Sequence, residues 1–188
     1  MADKLCEALT WHSLSGIIYD MDVNFGHWLA GFTAGEGCFQ SQIRTVNKVG
    51  TGWHGRRFLS LWFTISLRSD DEYILLEIQR KLGVGKVARF YNKGKRNPQS
   101  RYSITHTKSM CEVLIPLFDK CLLRNKKQGE YEVWKRIAKR SYQAKCSPRY
   151  TRTRSGLSGT LPYSDDYWAL MQQDNDILRS LKEYRLDE

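Results

Sequence analysis

A helical apolar pattern followed by two runs of strand-like alternation occurs twice in succession along this chain, and that repeated order restricts how its apolar faces can be buried. In residues 24–35, Phe25, Trp28, Leu29 and Phe32 recur at the i, i+3, i+4, i+7 spacing of one helix face, with Asn24 as the expected N-cap. Beyond Glu36 and Gly37 the period shortens to two over residues 38–46, turns through the glycine-rich stretch 50–55 and resumes over 57–67. Ser69 then reads as an N-cap with Asp70, Asp71 and Glu72 in the first turn, and Ile74, Leu75, Ile78 and Leu82 line a second helix that Gly83 stops. A second strand pair follows near residues 85–91 and 101–106, joined by the loop 92–98. With the apolar run 107–118, helical up to Pro116 or through it, the order predicts an α+β domain with an αββαββα core and an antiparallel sheet backed by helices.

The chain of 188 residues suits one domain with a helical appendage and argues against two full domains. The expected division is an N-terminal extension over 1–23, the core over 24–145, and a C-terminal basic loop and helix over 146–188, the loop spanning 147–162. Thirty Lys and Arg against twenty Asp and Glu leave a charge of +10, which points to a polyanionic partner. The charge is uneven: residues 125–155 hold ten bases against two acids, whereas 165–188 hold seven acids against three bases. A polyanion is therefore expected on the former. No apolar run approaches the ~18–20 residues of a membrane-spanning helix and no export signal opens the chain, so a soluble intracellular protein is expected. The five scattered cysteines form no Cys-x-x-Cys pair and read as reduced thiols; the four histidines form no zinc spacing with them. No P-loop, Gly-x-Ser-x-Gly or complete dinucleotide fingerprint is present.

The first helix carries small residues one turn apart, Ala30 with Ala34 and Gly31 with Gly35, so a partner backbone can approach closely there. Glu36 follows at its end, where helix meets strand, and a carboxylate held by two rigid elements suits a hard divalent cation such as Mg²⁺. A solvated glutamate at a helix end is the other reading of the same residue.

Leu29, Ala30, Gly31, Phe32, Thr33, Ala34, Gly35, Glu36 and Gly37 together resemble the signature of the LAGLIDADG homing endonucleases. The leucine, the first alanine and both glycines agree, Glu36 replaces the second aspartate, Ala34 replaces the first acid and Gly35 the second alanine. The first acid is not the family's metal ligand, so its loss leaves Glu36 in that role. The resemblance extends over about residues 24–145, through a turn at Gly83, Val84 and Gly85 and a basic turn at Asn125, Lys126, Lys127 and Gln128. It implies a saddle-shaped sheet and, with one signature per chain, a homodimer of charge +20 joined through Phe25, Leu29, Ala30, Gly31, Ala34 and Gly35. It further implies Mg²⁺, or another divalent cation such as Mn²⁺, at Glu36 with Gly35 beside it, and catalytic help from Lys126 or Lys127. The implied activity is a staggered double-strand break in a long, partly palindromic DNA target. An RNA-binding intron maturase and a non-cleaving DNA-binding regulator on the same scaffold are the alternatives, and intron RNA stays open as a further partner.

A twisted antiparallel sheet laid in a major groove reads bases with one face only. Alternation puts Gln40, Gln42 and Arg44 on that face of the first strand, with Lys48 beyond, and Ser60, Thr64 and Ser66 on that face of the second. Gln suits adenine and Arg suits guanine. Trp62 shares the polar face, either to stack on DNA or to pack under a loop, and Arg68 is expected near the active site. Lys86, Arg101, Ser103 and Thr105 are the counterparts on the second hairpin, and the basic loop 48–57, ending at Arg57, is expected along the DNA flank. The basic tract 139–154 is expected to follow the backbone without reading sequence.

Overall fold

The computed structural model describes residues 23–45, 56–90, 98–146, 150–152, 158–160 and 163–183; Lys48, most of the expected N-terminal extension and the tips of both hairpins lie outside them. Helix α1 (Val23–Glu36) passes directly into β1 (Gly37–Thr45), which pairs with β2 (Arg57–Arg68). A 3₁₀ turn (Ser69–Asp71) leads into α2 (Glu72–Leu82), then β3 (Lys86–Phe90) and β4 (Gln99–Ile104). The four strands form one antiparallel sheet in the order β1-β2-β4-β3, so the αββαββ order expected from the repeated pattern is observed. Two local expectations differ. Asn24 lies inside α1 rather than capping it, and Ser69 opens the 3₁₀ turn, leaving Asp71 at the N-cap of α2 without a side-chain cap bond. Gly83 ends α2 at φ 67°, the left-handed cap anticipated for it.

Behind the sheet, α3 (Thr107–Ser109), a π-helical stretch (Met110–Leu114) and α4 (Ile115–Lys120) form one continuous rod. The wide turn explains how the rod continues through Pro116, whose ring and missing N–H disrupt regular i→i−4 bonding. Helix α5 (Lys127–Cys146) crosses the sheet and supplies Tyr131 and Trp134 to the core. Beyond it, where a plain loop was expected, β5 (Tyr150–Arg152) and β6 (Ser158–Thr160) pair as a small ribbon. Helix α6 (Asp165–Ser180), capped by Ser164 Oγ accepting from the Tyr167 N–H at 3.2 Å, packs on α5 and along β1.

Phe39 lies at the centre of the core. Its ring stands 5.3 Å from Phe63, 6.0 Å from Phe118, 5.6 Å from Tyr131 and 5.2 Å from Trp134, joining two strands to α4 and α5. Such ring pairs add about 0.5–1.5 kcal/mol each beyond the area they bury. Upstream, Gly37 is required by proximity rather than by an unusual φ: a Cβ there would stand 2.7 Å from the Thr33 carbonyl oxygen and 2.4 Å from its Cγ2. Gly31 on the same helix has open space beside it.

The second hairpin is fixed by Glu72, whose carboxylate accepts two bonds from Arg89 of β3 at 2.7 and 2.8 Å and one from Ser100 of β4. The Arg89 and Ser100 bonds hold its carboxyl below the ordinary glutamate range. Cys38, Cys111, Cys121 and Cys146 are all free, as expected, and burial pushes the Cys111 thiol up to about 11. No helix among the described residues is long and apolar enough to cross a membrane.

Two stability predictions follow from these contacts. Gly37→Ala should lower the unfolding free energy by about 1–3 kcal/mol through overpacking; denaturant titration measures it. Glu72 stabilises the fold while ionised, a contribution that is complete above the ordinary glutamate pKa and lost as pH falls through its lowered folded value. The denaturation midpoints of the wild type and Glu72→Gln should therefore differ at pH 7 and converge as pH falls below the ordinary glutamate range; a gap independent of pH would contradict this.

Candidate nucleic-acid interface and catalytic site

The pleat of the sheet separates two chemistries. Leu59, Leu61, Phe63 and Ile65 of β2 turn toward the helices, and Ser60, Trp62, Thr64 and Ser66 turn to the open face, as the alternation predicted. Register assembles that face into transverse rows: Gln40 opposite Trp62, Gln42 opposite Ser60, and Cys38 in line with Thr64, Ser103 and Lys86. Gln40, Gln42, Arg44, Lys86, Arg101 and Thr105 are exposed there, Ser60, Ser66 and Ser103 are half-buried, and Thr64 is nearly buried. A groove of about 710 Å³ runs over the face, and among the described residues its lining contains Arg44, Arg101, Arg179 and Lys182 but no acid.

Several of these side chains are already oriented. Arg44 Nε donates to Gln42 Oε1 at 3.0 Å, and its guanidinium lies 5.9 Å from the Trp62 ring centre, so both neighbours hold the side chain on the open face. Arg101 Nε donates to Ser66 Oγ at 3.0 Å, with the Phe90 ring 4.5 Å from its guanidinium carbon. Arg57 does not belong to this face. It shares the parity of Leu59 and Leu61, bonds Asp165 and lies 5.3 Å from the Trp168 ring, so α6 holds it on the helix side. Three bases of the stretch beyond residue 125 are likewise engaged by acids: Lys135 by Asp119 and Glu132, both at 2.8 Å, and Arg136 and Arg140 by Asp174 at 2.9 and 2.5 Å.

Glu36 is exposed as the last residue of α1, at the end of the open face. The turn at Asn125 is tied to the same place. Asn125 Nδ2 donates to the Ala34 carbonyl oxygen at 3.1 Å, while its Oδ1 accepts from the Lys127 N–H at 2.9 Å and caps α5. The two basic candidates beside it differ. Lys127 Nζ lies 3.5 Å from Glu130, whose side chain is buried, and serves as its counter-ion, whereas Lys126 is exposed. Arg68 follows on the open-face parity, about 10 Å past the level of Gly37 by strand rise, with its guanidinium on Asp70 at 2.7 Å. The sequence signal for this capping role is an asparagine two residues ahead of a helix.

The exposed side of α1 corrects the interface expectation. Phe25, Leu29 and Ala30 are buried in the chain's own core, because one face of this helix, which is apolar around most of its circumference, is already spent on the molecule's own core. Gly31 and Gly35 are exposed with nothing within 4 Å of an added Cβ, Ala34 is half-buried, and Trp28, stacked on Phe32 at 5.1 Å, stands part-exposed beside them.

The donor chemistry fits a hard divalent cation in one limited form. No group of three or more His, Cys, Asp or Glu occurs among the described residues, so a cation at Glu36 would have one carboxylate per chain and would rely on water and phosphate oxygens for the rest. Mg²⁺ is commonly held that way.

Comparison with known proteins gives consistent matches. A family model described as LAGLIDADG endonuclease matches residues 29–138. The probable intron-encoded endonuclease Cox1-I1b of Schizosaccharomyces pombe is 28% identical over 113 residues, 60% of this chain and 27% of that protein. The I-LtrWI LAGLIDADG homing endonuclease, solved bound to target DNA, superposes with a TM-score of 0.60 at 22% identity, over 80% of this chain and 43% of that one. I-SmaMI, solved on an uncleaved DNA target in the presence of calcium ions, superposes at 0.56 with 20% identity, over 84% and 43%. At these identities the structural likeness is one of fold, and the chain spans less than half the length of each of these relatives.

The dual role of Asn125 is testable by stability alone. Asn125→Ala should cost about 1 kcal/mol as a lost cap, whereas Asn125→Asp, which keeps the acceptor and loses the donor to Ala34, should retain most of that stability; denaturant midpoints that fall equally would argue against the capping role.

Proposed function

The chain belongs to the LAGLIDADG endonuclease family, and from that premise we propose that it is a site-specific endonuclease making a staggered double-strand break in a long, partly palindromic DNA target. The observation that carries the proposal is the open sheet face, whose groove is lined, among the described residues, by four cations and no acid, with Glu36 exposed at the end of α1 immediately before the first strand of that sheet. Its neighbours in the fold include endonucleases solved on DNA, which supports a duplex as the occupant.

In this reading Gln40, Gln42 and Arg44 meet base edges in the major groove, Gln toward adenine and Arg toward guanine, and the second hairpin does the same through Arg101 and Lys86. One carboxylate per chain suffices if two copies meet across α1, and the open space at Gly31 and Gly35 supports such a homodimer. Two Glu36 side chains beside a two-fold axis then address one strand each. Mg²⁺ or Mn²⁺ held there, when bound, supplies activation of water and stabilisation of the leaving oxygen in phosphodiester hydrolysis. The chain's own contribution is positional: the Asn125 bond to Ala34 keeps the basic turn against the end of α1, and Lys126 stabilises negative charge developing on the phosphate. Lys127 acts indirectly, by neutralising Glu130.

The test is incubation of a randomised double-stranded DNA library with Mg²⁺ and sequencing of the ends, with Glu36→Gln alongside. Recurrent paired, offset cuts by the wild type are expected, with cutting abolished and selective duplex retention preserved in Glu36→Gln. Loss of both cutting and binding in that variant would argue against a metal-ligand role, and selective retention without cutting by the wild type would leave a binding protein.

A further inference from the structure

Two of the four cations in the groove come from outside the family-matched segment. Helix α6 follows the free edge of β1, and Asn175, Leu178, Arg179 and Lys182 form the wall facing the sheet. A charge count set this part of the chain against any polyanion, yet three of its acids are directed elsewhere: Asp174 takes Arg136 and Arg140, Asp165 takes Arg57, and Asp176 accepts from Gln172 at 2.9 Å. Of the two bases from this segment, Lys182 lies near the start of β1, where Glu36 leaves α1. The Lys182 ammonium bonds the Phe39 carbonyl oxygen and lies 3.9 Å from Cys38 Sγ, and Cys38 is two residues from Glu36. Arg179, one turn earlier, is exposed and has no ion-pair partner among the described residues. The helix itself is fixed from behind by the Asp174 pair and by buried Met171.

We infer that α6 is the second wall of the DNA groove, and that Arg179 and Lys182 hold backbone phosphates of the strand lying beside β1, next to the scissile position. This rests on the DNA reading above. Side chains on a helix flanking the sheet reach the sugar-phosphate edge of a duplex rather than its bases, so they add affinity and register without sequence preference. Their signature is salt dependence.

The experiment measures binding of the full chain to a labelled random-sequence DNA duplex, without divalent metal, across a salt series. Arg179→Ala and Lys182→Ala should each flatten the log–log salt slope by about 0.9, and the double variant by about twice that. Lys120→Ala, an exposed lysine outside the groove, should leave the slope unchanged. Arg179→Glu, at an exposed position, keeps the test informative even if Lys182→Ala fails to fold. Wild-type slopes in both Arg179 variants would overturn the assignment and leave the DNA reading intact. No duplex binding by the wild type would overturn both, and an effect seen only on an RNA duplex would overturn DNA as the occupant.

Discussion

The contact between Gly37 and the last turn of α1 is the constraint on which the rest of the molecule depends. Because the chain leaves the helix against the Thr33 carbonyl, β1 begins without a loop, and Phe39 enters the aromatic cluster two residues later. Glu36 is thereby held between a helix whose other face is buried and a strand anchored by four rings. A side chain positioned on elements this rigid needs little reorganisation to act as a ligand, which is the condition electrostatic catalysis requires. The Asn125 bond to Ala34 extends the same logic to a second element, since it ties the start of α5 to the end of α1.

From that junction the period of two does most of the sorting. Once Phe39 faces the helices, Gln40, Gln42 and Arg44 must face away, and cross-strand register carries the division through β2 and β4 to Lys86. One-sided burial pins the register, because a slip of one residue would expose the apolar set. The polar face then inherits its geometry from the core behind it, and Trp62 and Phe90 on that face orient arginines rather than fill space.

This explains what was legible in the sequence. Helix faces, strand alternation and the order of elements are local periodic signals, and they placed the sheet, its polar face and Glu36. Arg57 was misjudged because it was counted with a basic loop instead of by its parity with Leu59, and parity decides the face. Phe25, Leu29 and Ala30 were assigned to a partner because the same small and apolar residues serve a helix interface and a core equally well; only the tertiary arrangement shows that the sheet had already claimed them. The basic stretch after residue 125 looked available because charge counts ignore distant acids, and Asp119 and Asp174 are brought to it only by folding.

Asp174 shows why such a count fails in both directions. Its carboxylate is nearly buried between Arg136 and Arg140, whose own side chains stay partly exposed, so the two cations compensate an acid that has lost most of its water. Asp174 of α6 thus neutralises Arg136 and Arg140 of α5 at the back of the molecule, while Arg179 and Lys182 line the groove at the front. A segment that is acidic in sum becomes basic where it meets the groove, since electrostatic potential at a surface follows the charges facing it and not the total of the residues that carry them.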